Sequence, residues 1–239
     1  MKLIKTVLII LLPVIITAQE NQDDSIKKIV AGVTISINSN GIAPIPSFSL
    51  DKPAIISASS ISKGRFSYMP ALAIGLNLKP WYIDNWVYYK FIDSKKFNLK
   101  AGFNYSLFFG NDTISGVHGQ RYFTGALESV YQPWKSINFY FGYWYDAGQD
   151  EGSIQGHYLT FTAEKFGIKL GSQFSLAMSL QIFYLNYTDK NDGLFLTPRL
   201  NLTANKIPLS LFFQATQTLQ TNISPYPEFK WNIGLAYSL

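Results

Sequence analysis

The stretch Phe97-Asn98-Leu99-Lys100-Ala101-Gly102-Phe103-Asn104-Tyr105-Ser106-Leu107 decides the fold class. Its odd positions are apolar or aromatic, and its even positions are polar or glycine. In an extended chain successive side chains point to opposite faces, so the segment has one apolar face and one polar face. Ile137-Asn138-Phe139-Tyr140-Phe141-Gly142-Tyr143 repeats the pattern, as do Leu194–Thr203 and Phe229–Leu235. Similar segments recur from Ile29 to the C-terminus with turn residues between them. No helical period of comparable length competes. The pattern predicts about twelve strands, over 29–39, 53–63, 65–78, 83–92, 96–109, 120–132, 135–147, 154–166, 173–187, 193–204, 208–220 and 228–239. Ten is the alternative, because 53–63 is weakly patterned and the Lys79-Pro80 link is short.

A soluble β-sandwich also alternates, but its strands usually run about 5–6 residues. Most segments here reach about ten, the length that crosses a bilayer at a tilt. The chain carries 18 Phe, 15 Tyr and 5 Trp among 239 residues. Trp81, Tyr82, Trp86 and Tyr89 gather near one predicted strand end, and Tyr143, Trp144 and Tyr145 near another. Such groups are expected to form the aromatic girdles of a membrane barrel. Only 15% of residues are charged, against about 25% in ordinary soluble domains. Mean hydropathy is +0.06, and past the N-terminal segment no run of the ~20 apolar residues a spanning helix needs is present. A helical membrane bundle is thereby excluded. An open sheet with so apolar a face would aggregate through its edges, and closure removes them. The expected fold is an all-β, closed antiparallel transmembrane β-barrel in one domain. The connections sort by parity: Lys63-Gly64, Asp93–Lys95, Pro133-Trp134, Phe166–Ser172 and Asn205–Ile207 are short. Asn40–Lys52, Gly110–Gly119, Gly148–Gly152, Thr188–Asp192 and Thr221–Pro227 are the long or polar ones. Short periplasmic turns and longer outer loops produce that asymmetry, and an even strand count leaves both termini in the periplasm.

Residues 1–18 have the shape of a signal peptide. Lys2 and Lys5 give the positive start, Val7–Ile16 the apolar stretch, and Thr17 and Ala18 the small residues before the cleavage point. Residues 19–28 then form a short polar periplasmic segment, and 29–239 the barrel of an outer-membrane protein of a Gram-negative bacterium. Without Lys2 and Lys5 the chain keeps 18 basic against 15 acidic residues, a net charge of +3. No basic cluster interleaves with aromatics as a nucleic-acid groove requires, so nucleic acid is not an expected partner. The absence of cysteine excludes disulfides, thiolate metal sites and thiol catalysis.

The chain ends Asn232-Ile233-Gly234-Leu235-Ala236-Tyr237-Ser238-Leu239. This resembles the C-terminal insertion signal of outer-membrane β-barrel proteins: polar, any, Gly, two residues, hydrophobic, any, hydrophobic. Asn232, Gly234, Tyr237 and Leu239 occupy the defined places, although that family most often ends in Phe or Trp. The resemblance implies that the barrel-assembly machinery reads this strand and that outer-membrane lipid surrounds the product. Gly41–Lys63 and its neighbours also resemble uncharacterised outer-membrane barrels of Bacteroidota type, which implies no particular chemistry.

With the apolar faces toward lipid, parity turns Lys90, Lys100, Glu128, Asp146, Glu164, Arg199 and Lys230 inward as candidate lumen-lining residues. Asn98, Asn104, Asn138, Tyr140, Asn201, Gln214 and Thr216 join them. They either fill and hydrogen-bond a small interior or line a passage or cup for a small polar or amphipathic solute. Barrels of about eight strands are packed solid and those of 16 leave a channel, so twelve lies between. Lys90, Lys100, Arg199 and Lys230 are expected to favour anions, partly offset by Glu128, Asp146 and Glu164. The segment Asn40–Leu50 is apolar for an outer loop, with Ile42, Ile45, Phe48, Leu50 and two prolines. It is expected to turn inward over the barrel mouth.

The competing readings are a purely structural or adhesive barrel and an acyl hydrolase, and catalysis finds little support. Some outer-membrane barrels are acyl hydrolases with a His-any-Ser-Asn-Gly motif, and Ser39-Asn40-Gly41 matches its last three places. Ile37 stands where the histidine belongs, so that serine has no general base. His157 is expected to face lipid near the outer rim with no serine beside it. Asp112, Ser115 and His118 share one predicted loop. Two separated histidines without cysteine give no metal site, and no cofactor is implied.

Overall fold

The computed structural model describes residues 28–43, 49–112, 116–188, 191–224 and 228–239. The proposed signal peptide, most of the 19–28 segment, Ile45, Phe48 and Ser115 lie outside these residues. Twelve strands follow in chain order: β1 (Ile29–Asn38), β2 (Ala54–Lys63), β3 (Phe66–Gly75), β4 (Pro80–Asp93), β5 (Phe97–Asp112), β6 (Gly116–Trp134), β7 (Ile137–Gly148), β8 (Gln155–Leu170), β9 (Phe174–Tyr187), β10 (Asp192–Ala204), β11 (Leu209–Thr221) and β12 (Phe229–Ser238). Each pairs antiparallel with its neighbours in sequence, and β1 closes the sheet against β12. The seam runs over Thr34–Asn38 against Gly234–Ser238. Closure lets the ladder groups along most of each described strand pair without water.

The start of β1 and the end of β12 lie at the same end of the barrel, where Val33 and Leu239 exchange two backbone hydrogen bonds of 3.0 and 2.8 Å. Connections at this end are tight: 64–65, 94–96, 135–136, 171–173 and 205–208. Gly64, at φ +62°, supplies the left-handed first position that a two-residue hairpin turn needs. The opposite end carries 39–53, 149–154 and 222–228. We call these the turn end and the loop end.

The two faces follow from alternation and register. Residues directly opposite across strands share a face, and one such row runs Lys100, Glu128, Gly142, Thr160, Phe183, Phe195. Phe195 is fully buried and Phe183 nearly so, which makes this the inner face. Outward positions are large and bare: Phe103, Leu127, Phe141, Leu159, Leu211 and Leu235 are all exposed. A barrel exposing such a belt is built for an apolar solvent. On the inner face several aromatic rings lie over a glycine of the next strand, Tyr88 on Gly102 and Phe212 on Gly234. A Cβ at either glycine would occupy the ring's place. These glycines let rings lie flat on the wall.

Three expectations need correction. The predicted loop over 110–119 is mostly ladder, since Asn111 pairs with Val117 and Asp112 with Gly116. Its polar composition hid a hairpin that extends beyond the apolar belt, where the ladder needs no apolar face. The predicted link from Phe166 to Ser172 is also strand, because β8 continues to Leu170 through an irregularity between Lys165 and Ile168. Gly167, at φ +68°, sits in that bulge. Finally, Trp81, Tyr82, Trp86 and Trp144 form no outer girdle. Trp86 and Trp144 stand in inner-face rows, Trp81 is buried beneath the 39–53 connection, and Tyr82 packs on Phe108 inside. Tyr89, Tyr143 and Tyr145 keep outward positions by register.

Candidate functional site

The inner wall of β4–β7 carries a charged and aromatic network. Lys100 Nζ lies 2.9 Å from Glu128 Oε2 and 3.8 Å above the Tyr88 ring. Glu128 Oε1 accepts the Tyr88 hydroxyl at 3.0 Å and the Trp144 indole N–H at 2.9 Å. Trp86 stacks on Tyr88 with centroids 5.2 Å apart and faces Trp144 at 5.5 Å. The Lys100–Glu128 pair thus fixes three rings in addition to neutralising itself. Lys90 donates to Asp93 at 3.2 Å near the turn end. Asp146 accepts the Thr124 hydroxyl, and Glu164 accepts the Tyr140 hydroxyl at 2.7 Å and Asn138 Nδ2 at 3.3 Å.

On the far wall Arg199 lies 4.5 Å over the Phe212 ring. Its side chain is otherwise open to two polar hollows. One, about 310 Å³, is shared with Glu164, Ser179 and Asn201; the other, about 260 Å³, with Thr162, Gln181, Thr197, Gln214 and Thr216. Arg199 takes no part in any ion pair among the described residues. Lys90, Lys100 and Lys230 are each met by a carboxylate. Of the four basic residues expected to draw anions, Arg199 alone has no carboxylate in direct contact among the described residues, although Glu164 lines the first hollow with it.

Two apolar clusters narrow the loop end. The first joins Ala43, Ala54, Ala73 and Trp81, with Leu50, Ile56 and Tyr82 packed on it. The described flanks of the 39–53 connection therefore turn inward. Gly41 holds them together, donating to Lys52 O at 2.8 Å and accepting from Leu50 N at 2.9 Å. Ala43 N–H donates to Ser49 Oγ at 3.1 Å, and Ile42 is half-buried. To the barrel wall the connection is tied by Lys230 Nζ–Asp51 at 2.9 Å and by Asn40 N–H to Asn232 Oδ1 at 3.0 Å. The second cluster joins Tyr158, Phe183, Leu185, Tyr187 and Phe195, with Trp144, Ile154 and Ile223 against it.

Between the clusters opens a pocket of about 110 Å³ lined by Ala43, Asp84, Trp86, Asn104, Trp144 and Asp146, among others. Sequence reasoning missed Asp84. The signal is in the sequence: Asp84 shares its parity with Trp86, Tyr88 and Lys90 within the predicted strand 83–92. Outside the barrel wall, Asp150 in the 149–154 connection faces Arg121, with Nη2 to Oδ1 at 2.6 Å. Hydrogen bonds from Arg121 hold the Asp150 carboxyl below the usual carboxylate range.

The groups weighed for catalysis stay apart. His157 Nδ1 is bonded to the Tyr143 hydroxyl at 2.8 Å, with Tyr145 packed on the ring. Ser39 bridges to Asn232 and Ile233 of β12. Asp112 and His118 stand on β5 and β6. Among the described residues no three His, Cys, Asp or Glu side chains could hold a metal ion together.

No family model and no curated protein matches the chain. Solved structures do match. The KdgM porin superposes with a TM-score of 0.57 at 9% identity, over 87% of this chain and 99% of that one. The COG4313 outer membrane channel from Pseudomonas putida F1 gives 0.52 at 9% identity, over 92% and 99%. LpxR from Salmonella typhimurium gives 0.52 at 10% identity, over 87% and 99%. The fold is that of outer-membrane barrels. At such identities the likeness covers architecture alone.

Proposed function

We propose that this protein resides in the outer membrane of a Gram-negative bacterium and admits or binds a small polar or amphipathic solute in its lumen. On this reading residues 1–18 are removed on export, both termini face the periplasm, and the barrel-assembly machinery reads the C-terminal strand through Asn232, Gly234, Tyr237 and Leu239. The exposed belt of Phe103, Phe141, Leu159 and Leu235 meets lipid. The observation that carries the functional part is Arg199. A guanidinium open to two polar hollows, with Glu164 in the first and no carboxylate among the lining of the second, is suited to receive an anionic or hydrogen-bonding group of a solute in the second. Hydroxyls and amides of Thr162, Gln181, Thr197, Gln214 and Asn201 supply the remaining polar contacts.

The two apolar clusters at the loop end favour a second form of the same reading, a cup that holds its solute over a wide channel that merely passes it. Planar-bilayer recording of the refolded protein tests both. Stable conductance with anion preference, reduced in Arg199→Gln, is the expected result. Silence together with solute binding that Arg199→Gln abolishes identifies the cup. Silence without such binding refutes the proposal.

A further inference from the structure

We propose that the pocket between the two apolar clusters binds a small organic ammonium ion. Two carboxylates face it, Asp84 and Asp146. Asp84 accepts a hydrogen bond from Asn104 Nδ2 at 3.0 Å, and Asp146 one from the Thr124 hydroxyl. A carboxylate has about four acceptor positions, so both retain capacity toward the pocket. Among the described residues no basic side chain forms an ion pair with either. The four ion pairs instead use Asp93, Glu128, Asp150 and Asp51. Ionised carboxylates held in a protein interior without a counter-charge are costly. A cation arriving from solution removes that cost.

The rest of the lining says which cation. Trp86 and Trp144 stand 5.5 Å apart at 45°, with Phe108 and Tyr122 beyond them. Neither tryptophan is free to turn: the Trp144 indole N–H is committed to Glu128, and Trp86 is stacked on Tyr88, whose hydroxyl donates to the same carboxylate. Faces of tryptophan attract alkylated and protonated amines more than any other ring does. A hard metal ion wants six or more oxygen ligands, and a wall made largely of ring carbon cannot supply them. At about 110 Å³, several times the roughly 10–15 Å³ that admits one water, the space suits a headgroup of a few heavy atoms. Ala43 belongs to one apolar cluster and Trp144 packs on the other, so the pocket lies in the gap they leave.

The test is isothermal titration of the full-length refolded barrel in detergent with choline, and with 3,3-dimethylbutan-1-ol, its uncharged counterpart of the same shape. Choline should bind saturably, and the neutral alcohol about tenfold or more weakly. Asp84→Asn and Asp146→Asn should each weaken choline binding without altering the alcohol, with folding verified by the heat-modifiable gel shift. Equal binding of the two probes overturns the proposal, and that comparison needs no variant to fold. Undiminished choline binding in folded Asp84→Asn, Asp146→Asn double variants overturns it as well. So does displacement of choline by sodium at equal concentration. The readout is binding in micelles, so a silent bilayer recording, which bears on the pore reading, leaves this result standing.

Discussion

Placing an arginine at position 141 tests which face of the barrel meets lipid. Phe141 sits near the middle of β7, half exposed, with Phe161 of β8 opposite it at a centroid distance of 4.9 Å. Leu127, Tyr143 and Leu159 surround it and are likewise exposed. A guanidinium near the bilayer midplane costs a membrane barrel about 2–4 kcal/mol, and each 1.4 kcal/mol is about tenfold in an equilibrium. Phe141→Arg should therefore lower the folding equilibrium in lipid vesicles by a factor between roughly thirty and a thousand. Loss of the ring pair with Phe161 adds about 0.5–1.5 kcal/mol. The control is Ala58→Arg on β2, opposite Thr34 and on the same face as the buried Ala54. Pointing into the interior beside small residues, it should change stability by only about 0.5 kcal/mol. Urea unfolding followed by tryptophan fluorescence measures both. Equal costs at the two sites, or a larger one at position 58, would refute the face assignment and with it every inward residue named above.

Phe195→Ala removes a fully buried ring stacked on Phe183 at 4.7 Å; it should cost about 3–5 kcal/mol and, by widening the loop end, raise single-channel conductance. Lys230→Met breaks the tie to Asp51, whose side chain is half exposed, so stability should fall by only about 1 kcal/mol or less. The 39–53 connection should nevertheless become sensitive to added protease, which wild-type resistance and variant cleavage would register. At Asp150 the folded carboxyl titrates below the usual aspartate range, so the Arg121 contact stabilises the 149–154 connection above that range. The contribution is lost as the pH falls through the lowered value. Hydrogen exchange in that connection should rise on acidification in the wild type and rise less, beyond intrinsic rates, in Arg121→Ala, where only the residue-121 backbone N–H still donates to Asp150.

How far the sequence reveals this molecule depends on what alternation encodes. Period two marks a strand with unlike faces, and it located all twelve strands because lipid outside and polar groups inside keep the faces different along most of each ladder. The signal fades where both faces meet the same medium. That is why Asn111 and Asp112 read as loop while their backbones pair with Val117 and Gly116. It fades again at bulges, as where Gly167 carries β8 past a register shift to Leu170. Aromatic girdles were misread for a related reason. Local clustering of rings around Trp81, Trp86 and Trp144 reports only which segments carry them, and Trp86 in fact stands mid-strand; register alone reports on which side of the wall they stand.

The inner face is where residue type and position part company. Phe183, Phe195 and Phe212 share by register the face of Thr197 and Arg199, so an apolar residue there cannot be a lipid contact. Two of these rings lie against a glycine: Phe212 over Gly234 of the next strand, and Phe195 beside Gly193 of its own strand. Glycines at even positions, read from sequence merely as permissive members of the polar face, are the counterparts of these rings. They allow aromatic rings to lie flat on the inner wall of the barrel. The same device holds Tyr88 flat on Gly102, which lets its hydroxyl reach Glu128 and fix Trp144 and Trp86 against the Asp84–Asp146 pocket. A side chain added at Gly102 should therefore disturb that pocket while leaving the apolar belt and the strand pairing of β10–β12 intact. This couples a residue with no polar group of its own to the chemistry of the barrel interior.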